Sequence, residues 1–163
     1  MDAPLVVKPD YVQKAHVILS HANRIIRQNS FELRLKGVQR VSRITGEFVE
    51  EFYSPNKTAP HFQRVVDYWE NMPIKVIWFS FNGSAEDACN ALLDLAGRET
   101  DPYRGKEGEL RYDASELILP CYAFDANERK LRNIVHRSDS PENLVRESDL
   151  IKSLGNPQFN LAL

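Results

Sequence analysis

Cysteine is scarce in this chain: Cys89 and Cys121 are the only two, far apart and outside any CxxC pair. That usage argues against a disulfide framework and a thiolate zinc site, and it suits a reducing, cytoplasmic setting. Long apolar runs are missing too, none approaching the roughly 20 residues of a membrane span. The start, Met1-Asp2-Ala3-Pro4, carries an acid and no apolar stretch, so neither a signal peptide nor a transit peptide is expected. Charge of one sign is also lacking, because 21 basic against 23 acidic residues leave a formal net charge of −2. The total therefore points to neither nucleic acid nor a membrane, and any anion site must be local. No internal repeat divides the 163 residues, and 42% hydrophobic with 27% charged suits one folded domain over 1–155 followed by a tail over 156–163.

What is present is organised around Asn133-Ile134-Val135-His136-Arg137-Ser138-Asp139-Ser140. An apolar pair leads into His136, and Ser140 before Pro141 reads as an N-cap with proline at the first helical position. His136 is thereby set at the end of a strand, where a side chain can meet a ligand. One histidine so placed does not by itself separate chemistry from packing.

Upstream, Leu5-Val6-Val7 reads as a buried strand that Pro9 ends. Val12, Ala15, Leu19, Ala22 and Ile25 recur at helical spacing, and Phe31, Leu33 and Leu35 alternate with charges as in a half-exposed strand reaching about Val41. Thr45 opens an amphipathic turn through Phe52, and a second helix is expected from Pro60 to Asn71. Ile74 to Phe81, rich in β-branched and aromatic residues, is the strongest strand and is expected to be central. Ser84 with Asp87 forms a near capping box for a helix that buries Ala88, Leu92 and Leu95.

From Gly97 to about Arg132 the periodicity fails, which predicts a long loop; its Arg98, Arg104, Lys106 and Arg111 carry enough charge to meet a polyphosphate. A strand at Ile134-Val135 and a helix from Pro141 to about Leu154, ended by Gly155, complete the domain. His16 and His21 lie five apart on one helix, do not share a face, and read as structural. Lys36, Arg40 and Arg43 form a small basic cluster, but Glu47, Glu50 and Glu51 follow at once, so nucleic-acid binding is not expected there. The order βαββαβ predicts an α+β, ferredoxin-like fold: a four-stranded antiparallel sheet with helices packed on one face.

Nearly the whole chain up to Gly155 resembles the nucleoside diphosphate kinase family. The stretch around His136 is similar to the family's Asn-Ile-Ile-His-Gly-Ser-Asp-Ser motif, and Val7-Lys8-Pro9-Asp10, Glu99-Thr100-Asp101-Pro102 and Gly108-Glu109-Leu110-Arg111 match further family stretches in the same order. The resemblance implies transfer of a γ-phosphoryl group from a nucleoside triphosphate to a nucleoside diphosphate, by a ping-pong route through a phosphohistidine at His136. It implies Glu147 as the carboxylate that holds the other ring nitrogen, Tyr53 beside the histidine, Lys8, Thr100 and Arg111 on phosphates or ribose, and Asn133 on the sugar hydroxyl. Mg²⁺ is expected to bridge the phosphates, held by the nucleotide and water, with no protein metal motif. Homo-oligomers, hexameric or tetrameric, are also implied.

The chain departs from the family pattern at several points. His61 stands where a phenylalanine usually stacks on the base, Tyr11 where a small residue follows Lys-Pro-Asp, and Arg137 in place of the glycine after the histidine. One extra residue near Gly97 leaves the family's helix arginine without a match, Leu93 or Asp94 falling there, and Arg98 is expected to substitute from the loop. The apolar-rich insert Glu116 to Tyr122 is expected to cover the site or form a subunit contact. The alternative to an active enzyme is a non-catalytic or weakly active binding or assembly subunit.

Overall fold

In the computed structural model, which describes residues 1–118 and 124–155, the two strongest apolar runs form the middle of a sheet. Strands β1 (Asp2–Val7) and β3 (Ile74–Ser80) pair antiparallel, with Val6 opposite Val76. On the outer sides, β2 (Arg34–Val41) pairs antiparallel with β3 and β4 (Val135–His136) antiparallel with β1, giving the order β2-β3-β1-β4. This is the expected ferredoxin-like α+β arrangement, with β3 interior. A 3-10 turn over Pro9–Lys14 leads into α1 (Ala15–Asn29), and α2 (Gly46–Phe52) and α3 (Phe62–Trp69) link β2 to β3. After β3 come α4 (Ala85–Ala96), α5 (Leu110–Ile118) and α6 (Ala126–Leu131), and after β4 comes α7 (Pro141–Ser153).

The sheet is covered on both faces rather than one. Leu5, Val7, Val38, Ile77 and Phe79 pack with α1, α4 and α5, while the alternate residues Val6, Val76 and Trp78 pack with α2, α3 and α7. The reason is visible in β1 and β3, whose apolar runs skip the polar positions that a half-solvated strand would show. In β2 a bulge between Leu35 and Gly37 breaks the expected alternation. It brings Val38, opposite Ile77, onto the same face as Leu35, and sends Gln39 to the other face, where its side-chain oxygen accepts from Trp78 Nε1 at 2.9 Å.

The long loop expected over Gly97 to Arg132 contains two helices. Helix α5 buries Leu110, Arg111, Ala114 and Ser115, a stripe half polar and therefore silent to a hydrophobicity pattern. Helix α6 buries nothing, so its one sequence signal is the cap: the Asp125 side chain accepts from the N–H groups of Asn127 and Glu128. Both caps read from sequence are present, with Ser84 and Asp87 closing a reciprocal box and Ser140 accepting from the Asn143 N–H. Leu119 to Tyr122 of the insert and the tail over 156–163 lie outside the described residues. No described helix is long and apolar enough to cross a membrane.

Candidate active site

Register places His136 opposite Val6, on the sheet face covered by α2, α3 and α7. The turn that delivers it is strained. Ile134 has φ of 73°, and the Val135 N–H donates back to the Asn133 carbonyl at 2.8 Å. A β-branched residue in this region costs on the order of 1–3 kcal/mol. The fully buried Ile134 side chain and the Lys8 N–H, which donates to the Ile134 carbonyl at 3.0 Å, hold it there.

The imidazole has a partner at each nitrogen, the shorter contact at Nε2. His136 Nε2 lies 2.9 Å from Glu147 Oε2, and the Ser138 hydroxyl donates to the same oxygen at 2.6 Å. A carboxylate accepts and does not donate, so Nε2 carries the hydrogen, and in the neutral ring Nδ1 is the nitrogen with the lone pair. The Tyr53 hydroxyl donates to that Nδ1 at 3.3 Å. Burial, with the charge of Glu147, pushes the Tyr53 phenol well up, so it stays a neutral donor. The rings of Phe52 and Trp69 meet the imidazole edge-on, at 4.9 and 6.5 Å between centroids.

His136 and Tyr53 line a cavity of about 660 Å³, within the range of small-molecule sites. Its described lining holds five cations, Lys8, Arg64, Arg111, Lys130 and Arg137, against one carboxylate, Asp139. Lys8 is buried, donates from Nζ to the Leu131 carbonyl at 2.6 Å and lies over the Trp69 ring. Burial, then the charge of Arg111, pulls its pKa well down. Arg111 is buried as well: Nε and Nη2 donate to the Val135 carbonyl, and Nη1 to those of Gly97 and Glu99. Asn133 donates to the Thr100 carbonyl at 3.0 Å, while its buried Oδ1 has no partner and can accept from a ligand hydroxyl.

The structure gathers Lys8, Tyr53, His61, Thr100, Arg111, Asn133 and His136 around one cavity, with Glu147 behind the histidine. Arg98 is the exception. Its side chain is 62% exposed, pairs with Asp94 at 2.9 Å and is not among the residues that line the cavity, where Arg137 joins Arg64 and Arg111. Sequence reasoning missed Ser138, although it stands inside the quoted motif, and Trp69, Arg64 and Lys130, which carried no local signal. The Lys36, Arg40, Arg43 cluster is engaged locally, Lys36 with Asp2 and Arg43 with Asn71. Among the described residues no three His, Cys, Asp or Glu side chains gather to hold a metal.

The description "Nucleoside diphosphate kinase" belongs to the family model that matches residues 3–153. The nucleoside diphosphate kinase of Thermosynechococcus vestitus is 30% identical over 146 residues, spanning 90% of this chain and 83% of the relative. That of Campylobacter jejuni serotype O:6 is 31% identical over 144 residues, spanning 88% and 89%. The fold is similar to that of the Aquifex aeolicus nucleoside diphosphate kinase, with a TM-score of 0.66 at 23% identity over 92% of this chain and 93% of the other. The family match spans nearly all of the sheet, its helices and the cavity walls, and the chain belongs to the nucleoside diphosphate kinase family.

Proposed function

We propose that this chain is an active nucleoside diphosphate kinase that works through a phosphohistidine at His136. The observation that carries the reading is the orientation of one ring: Nε2 is held by Glu147 and the ring lines a cationic cavity. The Tyr53 hydroxyl gives up its hydrogen bond to Nδ1, the freed lone pair forms a bond to the γ-phosphorus of a nucleoside triphosphate, the bond from that phosphorus to the bridging oxygen breaks, and the diphosphate leaves with the electron pair. A second diphosphate then attacks the phosphohistidine through a terminal oxygen, and Nδ1 regains its lone pair. Glu147 and Ser138 keep the proton on Nε2 throughout, while Lys8 and Arg111 supply positive charge for the transferring oxygens.

The lining fits a nucleotide in other respects. The free Oδ1 of Asn133 and the Thr100 side chain offer partners for sugar hydroxyls, and His61 and Val65, at the start of α3, offer a surface for the base. Mg²⁺, when bound, would neutralise phosphate charge; Asp139, the one carboxylate in the described lining, suits an ion carried mainly by phosphates and water. Homo-oligomerisation rests on family membership alone, and a cytoplasmic setting on the buried free thiol of Cys89.

Incubation with γ-labelled ATP should give an acid-labile, base-stable phosphoprotein that a diphosphate of another base discharges. No label on the wild type, or equal label on His136→Ala, contradicts the proposal and leaves the binding or assembly subunit as the reading.

A further inference from the structure

We infer that Arg137 is a phosphate ligand of this site, binding the terminal phosphate of the nucleotide as it passes to and from His136; the inference rests on the phosphotransfer reading above. Arg137 follows His136 directly and lines the same cavity as Lys8 and Arg111. Its Nη2 donates to the Arg98 carbonyl at 3.2 Å, whereas its Nε is buried and has no partner. Burial pulls its pKa down against the favourable charges of Asp139 and Glu147, neither of which forms an ion pair with it, and the charge of Arg137 in turn lowers that of Arg111. Burying unpartnered guanidinium hydrogens beside a second guanidinium is unfavourable until an anion arrives between them.

Three consecutive carbonyls form the support. Arg111 takes those of Gly97 and Glu99, and Arg137 takes the one between, that of Arg98. Gly97 turns the chain there with φ of 96°, a conformation that favours glycine. The segment thus holds two guanidinium groups side by side at the cavity wall, and the contribution of Arg98 is its backbone oxygen, its side chain being turned out to Asp94. The donor count explains the need for a second arginine. Four hydrogen bonds from Arg111 already end on carbonyls, leaving about one of its five N–H groups for a ligand, and Lys8 spends one of its three on Leu131. Three equatorial phosphoryl oxygens ask for more donors than these, and the free edge of Arg137 provides them.

The competing role is obstruction, a long side chain filling space that a glycine would leave open. The two roles predict opposite changes. If Arg137 binds phosphate, Arg137→Gln and Arg137→Gly slow labelling of His136 by ATP on the order of 10²-fold with no fall in the nucleotide-free melting temperature, and Arg137→Lys recovers part of the rate. A rate in Arg137→Gly equal to or above the wild type overturns the inference. A binding arm works without turnover: on a His136→Asn background, Arg137→Gln should weaken ATP by about tenfold more than ADP in calorimetric titration, roughly one charge-assisted hydrogen bond to the third phosphate. Equal weakening of both, or none, overturns it. A wild type that takes no label sinks the phosphohistidine proposal, and the ATP-to-ADP contrast then still decides the role of Arg137.

Discussion

His136 and Ser138 share one oxygen of Glu147, so the carboxylate sits between a ring N–H at 2.9 Å and a hydroxyl at 2.6 Å. Removing the hydroxyl leaves the carboxylate freer to rotate away from the ring. Ser138→Ala is therefore expected to lower the labelling rate of His136 by roughly tenfold, the equivalent of about 1.5 kcal/mol for a hydrogen bond to a charged group, while nucleotide KM hardly moves. Stopped quench-flow measurement of the first half-reaction checks this, and a change confined to KM would contradict it. His61 gives a second test at this scale. Its ring lines the cavity but offers less area than a phenyl group, so His61→Phe should tighten ADP binding about threefold in equilibrium dialysis.

Elements bring these side chains together through the segment that precedes β4. Lys8 Nζ binds the Leu131 carbonyl, the Tyr11 hydroxyl donates to that of Arg132 at 2.8 Å, and the Lys8 N–H takes that of Ile134. The end of β1 and the 3-10 turn after it thereby clamp the strained turn that aims His136. Tyr11 is part of the clamp. Tyr11→Phe should lower the unfolding free energy by about 1 kcal/mol, a fall in Tm of roughly 2–4 °C by scanning calorimetry. Much at this scale was legible in the chain: the β1 and β3 runs, the Ser84 and Ser140 caps, and His136 at a strand end. Helices α5 and α6 were not, because Arg111 and Ser115 interrupt one buried stripe and the other helix buries nothing. Arg98 was misplaced for a related reason. Sequence proximity gives the position of a cation and not the direction of its side chain, and here Arg98 lies exposed beside Asp94.

Across the whole molecule the formal charge is only −2, yet among the described residues five cations and one carboxylate line a single cavity. Lys8 is one of the two buried charges of this lining, Arg111 being the other. Its pKa is depressed by burial, so from that lowered value up to about 10.4 the folded protein binds fewer protons than the unfolded chain. Stability without nucleotide should rise with pH through that window. Tyr11, Tyr53 and Tyr68, whose phenols burial pushes up, oppose the rise only above about 10, where unfolded tyrosine ionises. Urea midpoints at stepped pH should climb more steeply for the wild type than for Lys8→Met; parallel slopes would mean that Lys8 is not destabilised by burial. The same charge imbalance is what the terminal phosphates of a nucleotide would neutralise when they meet Nδ1 of His136. The most direct test is to phosphorylate the protein with ATP in the absence of a diphosphate and locate the phosphate on the His136 ring by proton–nitrogen correlation NMR. Phosphate on Nδ1, with the hydrogen retained on Nε2, is the expected result; phosphate on Nε2, or an unmodified ring, would contradict it.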